Sequence, residues 1–305
     1  MNHIPAVDVE RVSAAYEVRV RAVLDGDFPA ALHLADRLEP QRWALEWNLA
    51  TWLGDAFGLD PVVALEISLS NVIGLASIRL GDDVADGEVP VTLGSLPTVE
   101  AGGRLQAEAL AVYRRLFAPT SEFWAQVELR MSEWRDATAD GGSANLLQMR
   151  GAPLKISAFA VCLLTGHRQQ FDVVARCLDH ALAGMVLYDS VIDWREDLAE
   201  DRWNPFVEAA GVSVRRRHPG PTRTSDVEVA LMATDVVPNH FRQIVENLER
   251  AATLASGLGI RGLHSHLMQL AVQLDGEGDA LAARYGELGA RAQQVLFGKQ
   301  PPLAA

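Results

Sequence analysis

Residues 77–90 read SIRLGDDVADGEVP, and residues 187–205 read LYDSVIDWREDLAEDRWNP. In the first stretch Asp82 and Asp86 stand four apart with Asp83 beside them; in the second, Asp189, Asp193 and Asp197 recur every fourth residue. Positions four apart are neighbours on one helix face, so helices through these stretches stack their carboxylates. Walking back from Asp86 along its face meets Asp82, Ile78, Leu75 and Asn71; from Asp197 the walk meets Asp193, Asp189, Met185 and Leu182, with Ala181 and Leu178 alongside. Both walls are largely apolar before they turn acidic. The first cluster also closes a helix, where partial negative charge already disfavours acids. A hard divalent cation relieves both conflicts, and Mg²⁺ held by a few carboxylates plus substrate phosphates fits the pattern. The competing explanation is two solvated acidic helix ends.

The rest of the chain bounds the setting. Its 305 residues are 49% hydrophobic but only 7% aromatic, which favours a helical protein with a sizeable core over a β-rich one. A formal charge of -13 argues against nucleic acid, which needs a basic stripe. Cys162 and Cys177 sit in apolar helical patterns without ligand spacing, and read as buried free thiols of a reducing compartment. The N-terminus, MNHIPAVDVERV, has no basic region followed by an apolar core; with the cysteines it points to a cytoplasmic protein. Pro61 to Leu80 is apolar but holds Glu66, Asn71 and serines, so it reads as a core helix and not a membrane span.

Helical periodicity dominates. It predicts an all-α chain with helices over about residues 8–24, 27–36, 40–57, 61–86, 98–116, 120–138, 143–165, 168–199, 227–256, 260–274 and 278–296, in one domain spanning residues 1–305. Gly58, Pro90, Gly141-Gly142 and Gly166 punctuate it, and Pro153 should break its segment near Gly151. Residues 211–225 mix an arginine run with Pro219 and Pro221, as a mobile loop or as a basic flap over a phosphate-bearing ligand. Lys155 and Lys299 are the only lysines; Lys155 lies within an apolar run, as a functional cation or as a core-edge lysine whose stem is buried.

The two acidic stretches resemble the aspartate-rich motifs of class I isoprenoid synthases. GDDVADGE is similar to the first DDxxD motif in full. The second stretch resembles that of trans-polyprenyl diphosphate synthases with Ser190 in place of its second Asp, while the 189, 193, 197 spacing resembles the metal triad of terpene synthases with Asp at all three positions. QMRGAPLKISAFA resembles a diphosphate-binding lysine segment, and Arg284-Tyr285 resembles a C-terminal Arg-Tyr pair that binds diphosphate. The resemblance implies a helical bundle around a deep apolar cavity, Mg²⁺ (three ions with substrate bound) held by Asp82, Asp83, Asp86, Asp189, Asp193 and Asp197, and a prenyl diphosphate substrate. Lys155, Arg150, Arg202, Arg284 and Tyr285 would bind the diphosphate, Asp82, Asp86, Asp189 and Asp193 would be catalytic, and a homodimer is compatible with it.

Elongating synthases bind a second diphosphate through a Gly-Gly-Lys-x-x-Arg element and an Arg pair after the first acidic motif. Neither is present, and the first ninety residues hold no lysine; a dianionic headgroup needs fixed positive charge. The expectation is therefore a terpene synthase that ionises a linear or bicyclic prenyl diphosphate and cyclises the cation, with Trp43, Trp47, Phe123, Trp124 and Tyr188 as aromatic faces to stabilise it. Prenyl transfer, as in polyprenyl diphosphate or squalene and phytoene synthases, is the alternative. A non-catalytic helical relative that binds a prenyl diphosphate or a partner is the alternative of another class.

Overall fold

Asp60-Pro61 begins the helix that carries the first acidic cluster. The Asp60 carboxylate accepts from the amides of Val62 (2.8 Å) and Val63 (3.3 Å), an N-terminal cap, and Pro61 takes the first helical position, where no N–H is needed. The preceding helix stops at Gly58, whose φ of 79° lets the amides of Gly58 and Leu59 return to the Gly54 carbonyl at 2.8 and 2.9 Å.

The computed structural model describes residues 6–24, 44–85, 87, 92–93, 96–139, 149, 151–215 and 223–297. Its α-helices are α1 (Ala6–Val23), α2 (Ala44–Phe57), α3 (Pro61–Ala85), α4 (Thr98–Leu116), α5 (Glu122–Ala139), α6 (Leu154–Leu164), α7 (Phe171–Ala199), α8 (Pro205–Arg215), α9 (Thr224–Ala233), α10 (Val236–Gly257) and α11 (Arg261–Phe297). A short 3₁₀ turn covers Arg168–Gln170, and the two-residue strands β1 (Thr92–Leu93) and β2 (Leu96–Pro97) pair antiparallel with Leu93 opposite Leu96. Among the described residues the chain is all-α but for that hairpin. It divides into two compact units, the first of Met1–Ser132, Ala152–Ala175 and Ala255–His266, the second of Glu133–Gly151, Arg176–Leu254 and Leu267–Ala305.

In the first unit α1 to α4 share a core of Val12, Tyr16, Val20, Trp47, Leu69, Val72, Ile73, Ala76, Leu80, Leu105 and neighbours. On α3 the buried positions 69, 72, 73, 76 and 80 repeat with helical period. Ser70 and Ser77 donate to the Ala109 and Gly102 carbonyls of α4 at 2.8 and 2.9 Å. Glu66 pairs with Arg19 at 3.1 Å and Arg115 at 2.8 Å. Residues 61–81 are long and apolar enough to cross a membrane, yet these bonds and the buried stripe make α3 a core helix of this unit. An aromatic column runs Phe117, Phe123, Phe159, Phe171, with centroid spacings of 4.1, 6.4 and 4.8 Å. Burial pushes the Cys162 thiol on α6 up to about 12, an inert buried thiol.

In the second unit α7 packs on α10, and α10 on α11. A Cβ at Gly184 would stand 3.1 Å from the Leu248 side chain, and one at Gly278 would stand 2.6 Å from the Phe241 ring. Cys177, also a free thiol, donates to the Ala251 carbonyl at 3.2 Å.

Three boundaries differ from the sequence expectation. The helices expected over 260–274 and 278–296 are one, because Gly276 and Gly278 stay helical, Gly278 letting α11 approach Phe241. The helix expected over 227–256 breaks at Thr234-Asp235. Residues 205–215 form α8, so the segment read as a loop over 211–225 is helical at both ends; residues 216–222 lie outside the described residues, as do 27–36. The break expected at Pro153 is present, α6 starting at Leu154.

Trp52 covers the first turns of α11. A Cβ at Gly262 would lie 2.2 Å from its ring, and His266, one turn on, tilts against it at 5.3 Å. Gly262→Ala should therefore destabilise the protein by about 1–3 kcal/mol through overpacking, read by urea unfolding; an unchanged midpoint contradicts this contact. Burial lowers the His266 imidazole from 6.5 to about 4. The unfolded chain then takes up this proton first, so the contribution is intact above pH 6.5 and is lost as pH falls towards 4, roughly 3 kcal/mol in all. His266→Gln should flatten that part of the stability profile between pH 7 and 4, and an unchanged slope would contradict a neutral, half-buried His266.

Candidate active site

The Asp189 helix ends in a turn built by hydrogen bonds. After Ala199 the chain passes through Asp201, whose φ of 56° makes it the left-handed non-glycine residue among those described. That conformation lets the Arg202 amide return to the Asp197 carbonyl at 2.7 Å, a glycine-type helix stop made without glycine. Asn204 follows, 3% exposed. Its Oδ1 accepts from the amides of Phe206 and Val207 at 2.9 and 3.0 Å, capping α8; its Nδ2 donates to the Ser190 carbonyl at 2.9 Å and to Asp197 Oδ2 at 2.8 Å. All hydrogen-bonding positions of this amide are filled.

Ser190 faces inward. Its hydroxyl donates to the Leu187 carbonyl at 2.6 Å and lies 3.2 Å from His240 Nε2, which is 3.0 Å from the same carbonyl. Burial lowers the His240 imidazole while the Leu187 carbonyl acts in the opposite sense, and Phe206 stands edge-on at 5.0 Å. Position 190 thus belongs to the core, and its serine is no substitute for a metal-ligating Asp.

The buried stripe of α7 runs through Cys177, Ala181, Gly184, Leu187, Ser190 and Trp194. Asp189 and Asp193 lie to its side and are exposed, and Asp197 is half-buried. The wall behind them is therefore the edge of the apolar stripe: Met185 is half-buried and Leu182 is buried. One residue before Asp189, the Tyr188 hydroxyl donates to Glu277 Oε2 at 2.7 Å, and Gln273 donates to the other oxygen at 2.9 Å. Arg202 sits among acids: Glu200 at 2.5 Å, Glu196 at 3.4 Å and Asp197 Oδ1 at 3.5 Å.

As a donor set for Mg²⁺, Asp189 and Asp193 fit: two hard carboxylates four apart on one helix, accessible to solvent. Mg²⁺ usually keeps waters and takes one or two carboxylates plus substrate phosphates, so a cage is unnecessary. Among the described residues no three His, Cys, Asp or Glu groups converge as a ligand set, and both oxygens of Asp197 already face Asn204 and Arg202.

In the first unit, Asp82 and Asp83 fall in the last turn of α3; their side chains, and Asp86, Arg150 and Trp43 altogether, lie outside the described residues. The α3 wall read from the sequence, Asn71, Leu75 and Ile78, is half-buried and lies beside the core stripe, with Asn71 donating to the Glu46 carbonyl at 2.7 Å. Lys155 is 4% exposed in the first turn of α6. The nearby Ser157 hydroxyl donates to its own helix at Leu154, 2.8 Å. Trp47 and Phe123 are core residues, and Trp124 donates to the Ala118 carbonyl at 3.0 Å. In the second unit Arg284 is exposed and Tyr285 half-buried on α11.

No protein-family model and no curated protein matches the chain. Among solved structures it is similar to the geranylgeranyl pyrophosphate synthetase of the archaeon Geoglobus acetivorans, with 16% identity and a TM-score of 0.67, covering 88% of this chain and 98% of that one. It is similar to a polyprenyl synthase from Roseobacter denitrificans, with 13% identity and a TM-score of 0.56, covering 87% of this chain and 99% of that one. This chain has the class I isoprenoid synthase fold.

The deep apolar cavity expected with the isoprenoid synthase fold is not shown within either unit among the described residues. A shallow depression in the second unit along α7 and α10 is lined by His180, Glu246, Glu249, Arg250, Thr253 and Leu254. Sequence reasoning missed Asn204 and His240. Asn204 had a usable signal, an Asn before Pro at a helix start; His240, a single imidazole on an amphipathic helix, had none.

Asn204→Ala should lower stability by about 2 kcal/mol or more, because it removes the α8 cap and strands the Ser190 carbonyl and an Asp197 oxygen. Urea unfolding reads this, and a loss under about 0.5 kcal/mol contradicts the network described.

Proposed function

We propose that this chain is a Mg²⁺-dependent enzyme whose first step is ionisation of an allylic prenyl diphosphate. The observation that carries this reading is the pair of exposed carboxylates, Asp189 and Asp193, on a helix of an isoprenoid synthase fold. Asp82, Asp83 and Asp86 serve at the end of α3, and Asp82, Asp86, Asp189 and Asp193 are the catalytic acids. Mg²⁺, when bound, supplies Lewis acidity that stabilises negative charge on the leaving diphosphate. Arg202 in the second unit and the buried Lys155 in the first are diphosphate-binding cations in this reading. Arg150, Arg284 and Tyr285 are further contacts.

The fate of the cation has two readings. The two similar structures named above are a geranylgeranyl pyrophosphate synthetase and a polyprenyl synthase, which favours transfer to a second prenyl diphosphate over the cyclisation expected above. Cyclisation is favoured by a different observation: no basic residue lies between Arg79 and Arg104, where elongating enzymes hold their second diphosphate.

Incubation with geranyl, farnesyl and geranylgeranyl diphosphates and Mg²⁺, with and without isopentenyl diphosphate, separates these readings. Longer diphosphates formed only with isopentenyl diphosphate identify transfer, and hydrocarbons or alcohols formed without it identify cyclisation. Consumption of none of them contradicts the enzyme reading and favours a binding relative. Asp82→Ala and Asp189→Ala should each lower turnover by about a hundredfold or more while leaving the circular dichroism helical; retained turnover in either removes that acid from the mechanism.

A further inference from the structure

Asp197 completes the four-residue spacing of the second acidic stretch, yet its surroundings differ from those of Asp189 and Asp193. They are exposed, whereas the Asp197 side chain is 21% exposed. Its Oδ2 is held at 2.8 Å by the buried Asn204 amide, and Arg202 Nε stands 3.5 Å from its Oδ1. Asn204 has no rotamer freedom to release that bond, since its other atoms cap α8 and bind the Ser190 carbonyl. The left-handed Asp201 turns Arg202 back over the helix end, with its amide on the Asp197 carbonyl. Strain of this kind persists where surrounding bonds over-determine it, and Asp197 supplies two of those bonds, one from its backbone and one from its side chain.

We propose that Asp197 is a positioning residue and not a metal ligand: anchored by Asn204, it holds the Arg202 guanidinium at the end of α7, one helical turn beyond the Asp189–Asp193 pair, as the cation for a diphosphate. Three acids, Glu196, Asp197 and Glu200, restrain Arg202, so its head is ordered before ligand arrives and less side-chain entropy is lost on binding. Its charge also offsets the negative end of the helix dipole. Mg²⁺ is then left to the two solvent-exposed carboxylates, Asp189 and Asp193, with phosphate oxygens and water completing its shell. This assignment rests on the metal-dependent reading above and refines it.

The test uses the full chain, Mn²⁺ as the metal and inorganic pyrophosphate as the ligand. Asp193→Asn and Asp197→Asn make the same chemical change, and the second keeps an acceptor for Asn204. Mn²⁺ titration by electron paramagnetic resonance with pyrophosphate present should show about a tenfold or greater loss of affinity for Asp193→Asn and less than about a threefold change for Asp197→Asn. Calorimetry of pyrophosphate at saturating Mn²⁺ should show that Arg202→Gln and Asp197→Asn each weaken binding, and that the double variant is no weaker than Arg202→Gln alone. Circular dichroism verifies that each variant is folded. An equal loss of Mn²⁺ affinity in Asp197→Asn and Asp193→Asn overturns the proposal, as do pyrophosphate losses that multiply in the double variant. Absence of Mn²⁺ binding to the wild-type chain contradicts the metal-dependent reading itself and takes this assignment with it.

Discussion

Carboxylates stacked on one helix face repel one another, and at a helix C-terminus the backbone adds to the repulsion. The end of α7 carries Asp189, Asp193, Glu196 and Asp197, and its surroundings resolve part of that conflict with protein groups alone. Asn204 donates to Asp197, Arg202 gathers Glu196, Asp197 and Glu200, and the turn through Asp201 brings both partners back to the helix. What these groups leave exposed is the pair Asp189 and Asp193. The division matters chemically, because Asp197 is bound into the turn while Asp189 and Asp193 are the acids that reach solvent.

The same turn joins site to fold. Asn204 is at once the cap of α8, a donor to the Ser190 carbonyl and the anchor of Asp197. The Leu187 carbonyl above it receives Ser190 and His240. Helices α7, α8 and α10 are thereby cross-linked through buried, hydrogen-bonded polar groups, an arrangement that rigidifies. A site carried on α7 inherits that rigidity, which is what precise placement of charge requires.

Much of the fold was legible because its signals are local. Asp60-Pro61, Gly58 and Pro153 mark the ends of α2, α3 and α6, and the helical period of 69, 72, 73, 76 and 80 marks the core face of α3. The failures came where tertiary contact overrode a local signal: Gly276 and Gly278 look like a break, but Gly278 is the place where α11 presses on Phe241. The candidate site was legible as a set of acids and not as an arrangement. Spacing alone treats Asp189, Asp193 and Asp197 alike; only burial and the Asn204 and Arg202 contacts separate the third from the first two. Ser190 looked like a departure from an acidic motif, and its contact with the Leu187 carbonyl and His240 shows a core position.

The account turns on where a prenyl diphosphate meets this chain. The most direct measurement is a crystal structure with Mn²⁺ and the thio-analogue of farnesyl diphosphate, with anomalous scattering locating the metal. The account predicts Mn²⁺ on the carboxylates of Asp189 and Asp193, in contact with oxygens of the thiodiphosphate. An analogue bound away from both acidic clusters, or Mn²⁺ found on neither, would contradict it.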